Sequence, residues 1–283
     1  MAILSEITLY PIKSCGGIAL QAATLTRAGL MSEQIYDREW MVVDAAGACL
    51  TQREHPKMAL IAPRLKLDTL ELRAPGMLRL EIPLGLADPD TAPTLTVQVW
   101  DDTLQAYDCD ALTAVWFSNY LGVACRLVRF HPNALRLANP KWTGGIEAPT
   151  LFSDGYPILV IGAGSLRDLN VRLERAGRAP LPMNRFRPNL VIDGIDAYEE
   201  DYVDTFRADA VVLKPVKPCP RCPIPSIDQA TGEFGPDPLD ILQGYRARPE
   251  VDGGICFGMN NILLEGDGET LRVGQEVDVE LAF

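Results

Sequence analysis

The sequence predicts an α+β protein of mainly β content, in which barrels or curled sheets are accompanied by a few helices. Three observations lead there. Short runs alternating apolar and polar residues recur along the chain, glycine and proline turns separate them, and helical periodicity is confined to three places. Ile3, Ile7 and Leu9 mark a first strand that runs into Tyr10-Pro-Ile-Lys-Ser-Cys-Gly-Gly17, whose double glycine turns the chain before a second strand through Ile18, Leu20 and Ala22. Trp40–Val43, the turn Asp44-Ala-Ala-Gly47 and a run to Thr51 read as a hairpin. Leu70–Arg73, Leu78–Ile82 and Leu95–Trp100 alternate as half-buried strands do. Asp110 is placed to cap a helix from Ala111 to Leu121. Ser165 with Asp168 reads as a capping box for a helix closed by Gly177, and a third helix spans Pro238 to Tyr245. Between Pro132 and Pro149 the chain is polar and proline-punctuated, which predicts a long surface loop.

Composition narrows the function classes. With 283 residues, 47% apolar and 23% charged, the chain is globular and long enough for two modest domains. A formal charge of −12 argues against nucleic acid and against anionic membranes, because both require a basic footprint. Any anionic ligand must then be held by a local cluster of cations. The start Met1-Ala-Ile-Leu-Ser-Glu-Ile-Thr-Leu9 lacks the basic and apolar regions of an export signal, and no apolar run nears the roughly 20 residues a membrane helix needs. Seven cysteines, an odd number, fit reduced thiols, so the expected location is cytoplasmic.

The chemically pointed segment is Lys217-Pro-Cys-Pro-Arg-Cys-Pro223, two thiols flanking an arginine among three prolines. Proline restricts its own φ and the residue before it, so this segment is expected to be a stiff loop presenting Cys222. A structural zinc needs four nitrogen or sulfur ligands, and only His55 and His131, far apart, are on offer. A thioredoxin-type pair belongs at a helix N-terminus, and an iron–sulfur cluster needs a third close cysteine. A single thiolate on a metal whose other ligands are organic suits the pattern best, with Arg221 beside it for an anion. Three other clusters can supply charge or hydrogen bonds. Lys13-Ser14 with Gly16-Gly17 offers an ammonium, a hydroxyl and a glycine turn; the plain alternative is a strand exit. Arg38 stands between two acids, where a solvated ion pair is the ordinary outcome. Arg187 and Asn189 flank Pro188 and would face one side of an extended segment, or else form a polar turn before Leu190-Val-Ile192.

Taken in order, Tyr10-Pro-Ile-Lys-Ser-Cys15, Asn184-Arg-Phe-Arg-Pro-Asn189, Cys219-Pro-Arg-Cys222 with Asp228-Gln-Ala-Thr-Gly232, and Phe257-Gly-Met-Asn260 resemble the MOSC-domain proteins. The chain is similar to the subfamily that carries an N-terminal MOSC β-barrel domain and includes the amidoxime-reducing and 6-hydroxylaminopurine-reducing enzymes. The resemblance implies an N-terminal β-barrel-like domain over residues 1–120 and a MOSC β-barrel domain over 121–283, with the site shared between them. It implies a molybdenum cofactor (Mo-molybdopterin) with Cys222 as metal ligand and catalytic centre, held by Lys13, Ser14, Arg38, Arg187, Asn189 and Arg221. It further implies reduction of small N-hydroxylated compounds (N-oxygenated bases, amidoximes, hydroxylamines). The electrons would come from a separate flavoprotein, ferredoxin or cytochrome. Two departures stand out: Asp154 is followed by Gly155-Tyr156 where the eukaryotic relatives carry Thr-Ser after the aspartate, and Pro220 stands where they have serine. A cofactor or sulfur carrier, and a CxxC thiol oxidoreductase or zinc protein, remain as alternative readings.

Overall fold

In the computed structural model, which describes residues 1–85 and 91–282, seven strands close into a barrel. They are β1 (Ala2–Leu9), β2 (Ile158–Gly162), β3 (Leu190–Asp193), β4 (Val203–Ala208), β5 (Val211–Pro220), β6 (Gly254–Glu265) and β7 (Glu276–Leu281). Around the wall the order is β2-β3-β1-β7-β4-β5-β6, and pairing of Ile158 with Asn261 joins β6 back to β2. Only β2 and β3 are parallel neighbours, and the crossover that parallel strands require is the helix α1 (Ala163–Arg175).

Side-chain alternation sorts the barrel into two faces. Leu4, Val160, Leu190, Ile192, Phe206, Leu213 and Val277 join the large core cluster within it. Ile161, Val191 and Phe257 point the other way, where Leu169 and Leu173 of α1 and Leu242 of α2 (Leu239–Arg246) cover them. Against the barrel lie three further antiparallel sheets: Thr94–Val99, Asp102–Asp108, Cys125–Phe130 and Trp40–Asp44; Thr270–Arg272, Ala22–Thr26, Gly29–Ser32 and Ile35–Tyr36; and Ala62–Lys66, Thr69–Arg73 and Leu80–Pro83. The mainly-β expectation is met, and no helix among the described residues is long and apolar enough to cross a membrane.

Local expectations fared unevenly. Asp110 caps the helix Ala111–Leu121 by accepting from Thr113 N at 2.7 Å. The run from Cys49 to Thr51 forms only an isolated bridge to Val43, because Cys49 N turns to bond Gln98 O on the strand Thr94–Val99, at the far end of the same sheet. The loop between Pro132 and Pro149 holds one helical turn, Pro140–Thr143, capped by Asn139. Ser165 does not cap α1. That helix starts at Ala163, and Ser165 Oγ lies 2.7 Å from both oxygens of Glu200, a fully buried carboxylate that needs donors. The proline-rich segment before Cys222 is a strand rather than a loop. Its register against β6 slips between Pro215 and Lys217 and again between Pro218 and Pro220, where proline has no N–H for the ladder.

Candidate functional site

A pocket opens beside β2 and β6, next to Leu159 and Asn260, and all seven residues singled out from the sequence line it: Lys13, Ser14, Arg38, Arg187, Asn189, Arg221 and Cys222. They arrive on four separate segments. Tyr10–Ser14 follows β1, and it is zipped to Asp37–Trp40 by Lys13 N to Trp40 O at 2.8 Å and Arg38 N to Tyr10 O at 2.7 Å. Phe152 N then bonds Arg38 O at 3.0 Å, which brings in the stretch ahead of β2. Residues 185–189 lead into β3, and Arg221 N on Ile255 O at 2.8 Å anchors the end of β5.

Three of these residues hold left-handed backbone without being glycine: Ser14 (φ 65°), Arg38 (φ 52°) and Arg187 (φ 54°). Such conformations are costly and persist where surrounding contacts over-determine them, a pattern concentrated at functional sites. Here the over-determining group is the buried Tyr10, whose ring carries the Arg38 guanidinium at 4.4 Å and the Arg187 guanidinium at 4.3 Å. Asp37 accepts from Tyr10 N at 2.8 Å and pairs with Arg38, fixing the stack.

The glycines after Ser14 serve packing. Gly16 N is taken by Ile61 O at 2.9 Å, so the glycine turn does not present that donor to a ligand. A Cβ on Gly17 would sit 2.6 Å from the Tyr10 ring, so only glycine lets Tyr10 lie where it does. Asn189 likewise spends its amide internally: Oδ1 accepts from Leu159 N at 3.0 Å and Nδ2 donates to Thr8 O at 3.3 Å. It stitches β1, β2 and β3 together behind the cations.

The pocket is strongly cationic. Lys13, Arg38, Arg53, Arg185, Arg187 and Arg221 line it against a single carboxylate, Asp154, within a protein of charge −12. Arg185 is partly neutralised by Asp228 at 2.7 Å, and Asp154 is held by Lys13 at 2.5 Å. Desolvation within the pocket opposes ionisation of Asp154, although its side chain remains exposed, but the Lys13 charge and hydrogen bond win and hold its carboxyl below the usual carboxylate range. It is therefore an anion at neutral pH and not a general acid. Arg221 donates Nε to Phe257 O and Nη1 to Phe186 O, both at 2.9 Å, while Nη2 of Arg221 and Nη2 of Arg187 are buried with no hydrogen-bond partner among the described residues. Buried donors of this kind are normally satisfied, so two orphaned guanidinium nitrogens in one cation-lined pocket suit an anionic ligand. Burial, the main cause, pushes the Cys219 thiol up, with Arg221 opposing it. Both cysteines are free and half-buried, and among the described residues no group of three His, Cys, Asp or Glu side chains converges on a metal position. Among those residues, then, Cys222 is not part of a three-ligand protein site of the kind a zinc ion needs.

Arg53 and Arg185 escaped the sequence reading. Arg185 lies inside the Asn184-Arg-Phe-Arg187 motif and was open to inspection; Arg53 reaches the pocket only through long-range packing. Gln229 links the far motif to the near one, donating to Gln52 Oε1 at 3.0 Å while Gln52 donates to Ser14 O at 2.8 Å.

A closed barrel bearing a cation-lined pocket with two half-buried thiols flanking an arginine defines the class, and the family models agree. The chain belongs to the MOSC family: the MOSC N-terminal beta barrel domain matches residues 1–124 and the MOSC domain residues 147–278. It is 35% identical over 247 residues to mitochondrial amidoxime reducing component 2 of Bos taurus, covering 86% of this chain and 72% of that protein. Against mitochondrial amidoxime-reducing component 1 of Homo sapiens the identity is 34% over 284 residues, covering 97% and 82% respectively. Molybdenum cofactor sulfurase of Oryza sativa subsp. japonica is 31% identical over 298 residues, which is 97% of this chain but 35% of that protein.

Proposed function

We propose that the pocket holds a molybdenum cofactor and that the chain reduces small N-hydroxylated compounds, in the cytoplasm, with electrons delivered by a separate flavoprotein, ferredoxin or cytochrome. The observation that carries this is the convergence of Cys222 with six cations, two of them with orphaned buried donors. When bound, the cofactor supplies the two-electron chemistry that converts R–NHOH, two electrons and two protons into R–NH2 and water. The protein's own work is placement. Cys222 offers the thiolate ligand; Lys13, Arg38, Arg187 and Arg221 neutralise and orient the anionic cofactor; Ser14 adds a hydroxyl; and Asn189 keeps the strands beneath them in register. Asp154 stays ionised and acts as an acceptor. The carrier reading draws on the sulfurase relative and predicts cofactor that is released readily and no turnover.

Metal content per chain tests this, measured after expression in a host that makes the cofactor. Near-stoichiometric molybdenum that is lost in Cys222→Ala and kept in Cys219→Ala, with viologen-driven reduction of an amidoxime, is expected. Zinc in place of molybdenum, or equal loss in both variants, would overturn the assignment.

A further inference from the structure

The sharp turn between strands Thr94–Val99 and Asp102–Asp108 consists of two residues, Trp100 and Asp101, since Val99 pairs with Asp102. Trp100 takes φ 56° at the first loop position, where hairpins of this length favour glycine because a Cβ is strained there. It is also 42% exposed. A bulky, strained, half-exposed indole at a turn tip makes no sense as a folding element, so its surroundings matter. Its Nε1 donates to Asp154 Oδ1 at 3.1 Å, the Arg53 guanidinium lies 4.4 Å from its ring and the Lys13 ammonium 5.8 Å. All three of those partners line the cationic pocket. Lys13 and Trp100 both bind Oδ1 of Asp154, which leaves Oδ2 without a partner among the described residues on a side chain 73% exposed.

We propose that Trp100 and the open oxygen of Asp154 form a substrate-recognition platform at the pocket mouth, selecting planar, conjugated N-hydroxylated compounds with N–H donors, such as aryl amidoximes, over compact aliphatic hydroxylamines. The inference rests on the reductase reading. An indole beside an anionic acceptor matches a flat, donor-rich amidoxime on two counts, by stacking and by an N–H to carboxylate bond. A compact hydroxylamine presents no π-surface and gains little from either.

The test compares wild type, Trp100→Phe and Trp100→Gly. Glycine suits the left-handed turn, so Trp100→Gly should melt no lower than wild type, which separates recognition from folding. The ratio of the benzamidoxime KM to the N-methylhydroxylamine KM should rise about tenfold in Trp100→Gly and by less than about threefold in Trp100→Phe, as expected for loss of an aromatic contact. An unchanged ratio overturns the proposal. Benzamidoxime should also quench tryptophan fluorescence saturably in wild type and much less in Trp100→Phe; equal quenching in both likewise overturns it. If wild type turned over neither compound, the reductase reading would fall while the quenching comparison would still decide the platform.

Discussion

The Lys13 ammonium lies 2.5 Å from the Asp154 carboxylate, joining a segment that follows the first strand to one 141 positions later in the chain. The pair fixes the edge of the pocket, and its carboxylate is held ionised by the contact. Because the folded pKa lies below the unfolded value of about 3.9, the stability it contributes is complete above that value and is lost as pH falls toward the folded one. The stability difference between wild type and Asp154→Asn should therefore be flat from neutral pH to about 5 and shrink below about 4, where unfolded Asp154 protonates. Denaturant titrations across that range check it; a difference that changes between pH 6 and 8 would contradict the assignment.

Gly17→Ala should damage the site from behind. The new Cβ would meet the Tyr10 ring at 2.6 Å, and that ring carries Arg38 and Arg187. Overpacking of this kind costs about 1–3 kcal/mol, and molybdenum per chain should drop in the folded fraction. Gly244→Ala in α2 meets nothing within 4 Å and is the control, expected to be neutral or slightly stabilising.

Asn189→Ala separates support from ligand contact. It deletes two hydrogen bonds that tie β1 and β2 to β3, so a loss of about 2–4 kcal/mol is expected from unpaired buried backbone groups. A variant that kept full thermal stability yet lost cofactor would show that Asn189 acts directly on the ligand.

Asp110→Ala removes the cap of the helix Ala111–Leu121, with Asp110 accepting from Thr113 N and Thr113 Oγ1. It should cost about 1 kcal/mol without changing metal content, because the helix lies outside the pocket. Chemical denaturation with metal analysis on the same sample reads both.

These residues also show what a sequence reveals. Local rules carried the alternating strands and the Asp110 cap, since both depend on neighbours a few positions away. The motifs around Lys13, Arg187 and Cys222 were readable because proline, glycine and cysteine mark unusual backbone or chemistry. What stayed hidden depended on distant partners: Glu200 took Ser165 away from its expected cap across 35 positions, and Gln98 drew Cys49 out of a hairpin. Trp100 looked like the end of an ordinary alternating strand. Only the placement of Asp154 and Arg53 beside it reveals a strained turn at the pocket mouth.

The pairing of Ala2 and Ile3 with Val277 and Glu276 has a consequence for how the molecule is made. During synthesis the first strand must wait, unpaired on that edge, until Glu276 and Val277 have left the ribosome before its partner exists. Such non-local closure is slow. The pocket draws residues from both early and late segments, so its cation cradle is complete only once the barrel wall is sealed. Loading of an anionic cofactor should accordingly be a post-translational event, and chains stalled short of β7 should emerge empty.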